Sequence, residues 1–201
     1  MDNDTTKKTT TKKMEAIPYS AIESAVAELP PRTRTLRYIG SVTRMMNERV
    51  IGQIEKMLDK NAGEEIALFI TSPGGAAGVA MSFYDTVRHV LKPRLVTIGS
   101  GEVDSSGIIV FLAGMRRFVT KRTTFLFHPA GRMFGNQRYT TSEMAAMLEE
   151  DRLKDKHYAS VVAENSKGKL TVEDVLLMME QHTVLSAEDF VAAGLADDIL
   201  E

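Results

Sequence analysis

The sequence predicts an α/β fold wound around a mostly parallel sheet, and three observations predict it. Short runs rich in branched and aromatic residues, over 66–71, 95–100 and 118–120, alternate with helical patterns over 77–91 and 105–113. Each of the first two runs opens into a turn, Thr71-Ser72-Pro73-Gly74-Gly75 and Gly101-Glu102-Val103-Asp104-Ser105-Ser106-Gly107, from which a helical pattern starts at once. The spacing between runs leaves room for one crossover helix each, the geometry that parallel neighbours require.

Taken in order, residues 1–16 consist mainly of Asp, Asn, Thr and Lys and predict a disordered polar tail. Residues 17–35 form a transitional segment in which Pro18, Pro30 and Pro31 interrupt a short helical pattern at 21–29. A first strand is expected over 36–42. Met46, Val50, Ile54, Met57 and Leu58 then recur at helical spacing, giving an amphipathic helix over 43–61 with Gly63 beyond its end. After the two βα units, residues 124–127 read as a strand that delivers His128, followed by Pro129.

The stretch 131–139 is polar and glycine-punctuated and predicts an exposed extended arm. Thr140 with Glu143 makes a capping-box pattern. Met144, Met147, Leu148, Leu153, Tyr158, Val161 and Val162 extend it into a long projecting helix over 141–163. Thr171 with Asp174 and Ser186 with Asp189 start two further helices, and 195–200 is expected as a strand at the sheet margin.

Composition narrows the function. A chain of 201 residues with 43% apolar content supports one core, and a net charge of −2 offers no electrostatic case for nucleic acid or an anionic membrane. The absence of cysteine excludes disulfides, thiolate metal sites and a cysteine nucleophile, and suits a reducing compartment. No secretory h-region or membrane-length apolar run is evident, so a soluble cytoplasmic protein is expected. No His-Glu-x-x-His occurs and no two histidines share metal-ligand spacing, so neither a catalytic metal nor a cofactor is expected.

Three strand ends therefore present a glycine pair, a serine and a histidine, and strand C-terminal ends gather at one edge of a parallel sheet. Such a set suits acyl transfer: a hydroxyl attacks a carbonyl, an imidazole takes the proton and backbone N–H groups hold the oxyanion. Spacing alone leaves Ser105 and Ser106 equal as nucleophile. Glycine pairs also bind phosphates, but neither Gly-x-Gly-x-x-Gly nor a Gly-Lys-Ser/Thr ending is present.

Ser72-Pro73-Gly74-Gly75, the tract Met81-Ser82-Phe83-Tyr84-Asp85-Thr86, Lys92-Pro93, the serine turn, His128 and Leu185-Ser186-Ala187 together resemble the proteolytic subunit of the Clp protease. The resemblance spans residues 36 to 200. It implies a ClpP/crotonase-like fold of repeated ββα/βα units with a projecting handle helix, and a peptidase domain over 36–201. It places the nucleophile on Ser105, the general base on His128 and the oxyanion donors on the N–H groups of Gly75 and Ser106. Substrate would lie as an added strand along Gly131, Arg132, Met133, Phe134 and Gly135. The implied assembly is a homo-oligomer of stacked heptameric rings, served by an AAA+ ATPase unfoldase that threads unfolded polypeptide into the chamber.

The chain departs from that pattern in three places. Asp104 stands where a small apolar residue is usual, and either points to solvent or competes with His128 for the serine proton. Glu102 replaces a usual glutamine. The position of the family's aspartate holds Met178, which leaves Glu180 as the third-member candidate, with Asp174 and Glu173 better explained by helix capping and the helix dipole. The expected function is a serine endopeptidase, the alternatives being a catalytically silent ring subunit and a crotonase-type acyl-coenzyme A enzyme.

Overall fold

The computed structural model describes residues 29–200. The expectations for the tail over 1–16 and for most of the 21–29 helical pattern lie outside them. Five strands form one parallel sheet in the order β1 (Thr35–Ile39), β2 (Ile66–Ser72), β3 (Leu95–Val103), β4 (Arg116–Thr120) and β7 (Asp198–Leu200). The last strand takes the margin, as expected.

The crossovers carry helices α1 (Arg44–Lys60), α2 (Ala77–Asp85) and α3 (Ser106–Leu112). Val50 and Ile54 of α1, Ala80 and Phe83 of α2, and the whole of α3 are buried against the sheet in one large apolar cluster. A smaller cluster of Ala67, Val96, Ile98 and Phe118 covers the opposite sheet face. This two-sided burial explains why β2 and β3 read as continuous apolar runs rather than alternating ones.

Boundaries shift for local reasons. β1 stops at Ile39, and Val42 forms only an isolated bridge to Gly75, because Gly40 at φ 105° turns the chain away. The helix expected over 77–91 changes to a π-helical turn over Thr86–Leu91 and ends on Lys92 in the left-handed region. β3 runs three residues past the expected end, to Val103, after a register shift against β2 between Ile70 and Ser72. Gly101-Glu102-Val103, read as part of the serine turn, is therefore strand.

One topological expectation is corrected. The segment before His128 is not a strand of the parallel sheet: β5 (Phe125–Leu126) pairs antiparallel with β6 (Val184–Leu185) in a separate two-stranded ribbon. It still runs beside the end of β3, through a parallel bridge between Glu102 and Thr124 and a 2.7 Å hydrogen bond from Ser105 N–H to the Leu126 carbonyl. Convergence of serine and histidine thus comes from backbone pairing across two sheets.

Helix α4 (Thr141–Asn165) opens with the expected capping box on Thr140 and Glu143. Its buried residues, Tyr158, Ala159, Val162 and Asn165, all fall in the last third, so the N-terminal part projects with Met144, Leu148 and Leu153 about half exposed. Residues 131–139 lack regular secondary structure, in keeping with an exposed arm. α5 (Val172–Glu180) and α6 (Ala187–Ala192) also begin with capping boxes, on Thr171 with Asp174 and Ser186 with Asp189.

Candidate active site

Ser105 occupies the corner between β3 and α3 at φ 53° and ψ −128°, a conformation that a side chain larger than glycine's adopts only under strain. The strain is held from three sides. Its N–H donates to the Leu126 carbonyl, and its own carbonyl accepts the Ile108 N–H at 3.0 Å and the Tyr158 hydroxyl at 3.1 Å. The Asp104 carboxylate accepts the Leu126 N–H at 2.8 Å. Of the two fates considered for Asp104, neither occurs, since it fastens β5 to the serine corner.

The glycine pair packs directly against this corner. A Cβ at Gly74, where φ is +90°, would stand 2.7 Å from Ser105 Cβ and 3.1 Å from its Oγ. A Cβ at Gly75 would stand 2.5 Å from the Val42 carbonyl oxygen. Glycine is therefore required at both positions by space as well as by backbone conformation. The N–H groups of Gly75 and Ser106 find no acceptor among the described residues, and both residues line the cavity that Ser105 and His128 face. Two such donors beside a hydroxyl are suited to hold an oxyanion. The Ser106 hydroxyl is buried without a hydrogen-bond partner, while its residue is 2% exposed.

His128 follows β5. Its Nδ1 lies 2.8 Å from the Pro129 carbonyl oxygen. A carbonyl only accepts, so Nδ1 carries the proton and Nε2 keeps the lone pair, which is the tautomer a general base needs. The ring stacks with that of His182 at 6.2 Å and 9°. Among the described residues Ser105 Oγ makes no hydrogen bond to His128; the two share a cavity of about 1060 Å³ also lined by Gly75, Ser106, Met179, Asp155 and Tyr158.

The third-member candidate is not brought to the histidine. Glu180 is exposed at the last residue of α5 and is not on the cavity wall, and Met178 packs part-buried against the core. Of the arm, Arg132 is pinned to α4 by Asp151 at 2.6 and 2.8 Å and Glu150 at 2.6 Å, while Met133 and Phe134 are exposed and unpaired with any strand. Hydrogen bonds from Lys154 and Arg132 hold the Glu150 carboxyl down at about 2.

Sequence reasoning missed Tyr158 as a polar anchor, counting it only as part of an apolar stripe. It also missed Asp155, which accepts the Ala130 N–H at 2.7 Å and whose carboxyl burial pushes up, against the Ala130 hydrogen bond and the influence of His128, which lower it. The signal was present in the spacing, since Asp155 and Tyr158 are one turn apart on the same face of α4.

Over residues 21–201 the chain matches the family described as Clp protease. It belongs to that family. The parallel five-stranded sheet with its flanking helices is the mixed α/β architecture expected of the ClpP/crotonase fold. Membership carries a ClpP-like proteolytic character and polypeptides as the substrate class. Among the described residues, no helix is long and apolar enough to cross a membrane and no group of three or more His, Cys, Asp or Glu could hold a metal ion.

Proposed function

We propose that this Clp protease family member is a serine endopeptidase subunit that cleaves unfolded polypeptides inside a chamber of stacked heptameric rings, fed by an AAA+ unfoldase. The observation that carries the reading is the Ser105 corner: a strained serine with Gly74 packed against its hydroxyl and two uncommitted N–H groups alongside. In this mechanism His128 Nε2 removes the Ser105 proton as Oγ attacks the scissile carbonyl, and the oxyanion is held by Gly75 and Ser106 N–H. His128 then gives the proton to the leaving amine, and water repeats the sequence on the acyl-enzyme. The Gly131–Gly135 arm, which pairs with no strand among the described residues, would align substrate as an added strand.

A serine-directed fluorophosphonate tests it. The expected outcome is one adduct on Ser105, lost in Ser105→Ala and retained in Ser106→Ala. An adduct located on Ser106 refutes the assignment.

The second reading, a catalytically silent ring subunit, is favoured by one observation: Met178 fills the family's acid position while Ser105 and His128 share no hydrogen bond. Absence of any adduct in the assembled protein would establish it.

A further inference from the structure

Proton transfer to His128 creates an imidazolium in a partly enclosed cavity, and a serine triad normally stabilises that cation with a carboxylate. Here the Nδ1 proton is bound by the Pro129 carbonyl, which fixes the tautomer but carries only a partial charge. The family's acid position holds Met178 and Glu180 is off the cavity wall. None of these groups gives the imidazolium a counter-charge.

Helix α4 supplies one. Asp151, Asp155 and Tyr158 fall at i, i+4 and i+7 on the face that lines the cavity. Tyr158 donates to the Ser105 carbonyl, and Asp155 accepts the N–H of Ala130, two residues beyond His128. One helix face therefore anchors both the serine corner and the histidine segment. Of the three α4 carboxylates on the wall, Glu150 and Asp151 are neutralised by Arg132 and Lys154. Asp155 has no cationic side-chain partner among the described residues, and its Oδ2 makes no hydrogen bond.

We propose that Asp155, resting on the peptidase reading above, is a positioning residue: it holds the His128–Ala130 segment by its Oδ1 and provides the negative charge that stabilises the His128 imidazolium. The other charged or titratable groups facing His128 are accounted for. His182 is stacked on it and adds no negative charge; Arg132, Lys154, Glu150 and Asp151 form their own network on α4; Arg44, Glu48 and Glu55 line the cavity from α1. The charge enters from the handle helix, an element different from the one bearing Met178. Projection and catalysis thereby depend on one helix.

Asp155→Asn is the discriminating change, because its amide oxygen still accepts the Ala130 N–H while the charge is gone. In the full-length protein, the NMR titration of the His128 imidazole is expected to move to lower pH. Fluorophosphonate labelling of Ser105 is expected to slow about tenfold, with its acid limb moving the same way, and Asp155→Glu should recover part of the rate. A purely structural role predicts an unchanged titration in Asp155→Asn, and that result overturns the proposal. If wild-type protein gives no Ser105 adduct, the peptidase reading fails, while the imidazole titration still decides whether Asp155 and His128 are coupled.

Discussion

Gly74 and Ser105 are so close that a Cβ on the first would stand 2.7 Å from the Cβ of the second. The contact explains how β2 and β3 act as one unit at their C-terminal ends: the turn after β2 leaves just enough room for the strained serine at the end of β3. Gly74→Ala must therefore displace Ser105 or distort a backbone held at φ +90°. We expect it to destabilise the fold by about 1–3 kcal/mol and to abolish Ser105 labelling. Retained labelling with unchanged thermal stability would show that the turn does not position Ser105.

The acid position gives a second test. Glu180 is exposed and away from the cavity, so Glu180→Gln should leave peptide turnover within about twofold of wild type. Met178→Asp should bring little gain, because the Nδ1 proton it would have to accept is already committed to Pro129 at 2.8 Å. Steady-state kcat/KM on an unstructured peptide measures both. A loss of several orders of magnitude in Glu180→Gln would restore Glu180 as the acid.

Arg34 tests the packing instead of the chemistry. It is 7% exposed and donates to the carbonyls of Met57, Asn61, Glu64 and Glu65, so one guanidinium closes the C-terminal end of α1 and the entry to β2. Arg34→Met removes every one of those donors and should cost about 3 kcal/mol or more, read as a lowered urea midpoint. Arg34→Lys should recover little, since an ammonium cannot span four carbonyls in a planar fork.

These residues mark where the sequence was legible. Helical periodicity and capping boxes identified α1, α4, α5 and α6, because those signals are local. Apolar runs identified the sheet strands for the same reason. The pairing of β5 with β6 rather than with the sheet was not legible, since both strands are two residues long and their partnership depends on contacts about sixty positions apart. Likewise Arg34 sat in a segment that read as transitional: its four acceptors are 23 to 31 residues away. Around the candidate cavity, the turns that carry Ser105, His128 and the glycine pair were legible. Asp155 and Tyr158 reach the same place from a helix that pattern reading assigned wholly to projection and packing.

The attachment of the arm to the handle should depend on pH. Arg132 on the arm is held by Glu150 and Asp151 of α4, and its own pKa is raised by its hydrogen bonds to Asp151 and Glu150. The Glu150 carboxyl is depressed from 4.5 to about 2 by its hydrogen bonds to Lys154 and Arg132, and Asp151 is lowered chiefly by its bond to Arg132. A depressed carboxylate contributes stability that is complete above its unfolded value and is lost as pH falls through the folded one. The contact should thus be intact at neutral pH and dissolve between about 4.5 and about 2. Glu150 is exposed and Arg132 and Asp151 are partly exposed, so salt should weaken it as well. The Arg132 Nε–H resonance is expected to keep its bound chemical shift at pH 4.5 and to move toward a free value only as pH falls toward about 2. Arg132→Gln should show increased hydrogen exchange across 130–135 at neutral pH. An Arg132 resonance already at its free value at pH 7, with exchange unaltered by the substitution, would mean that the arm is not fastened to the handle through these carboxylates.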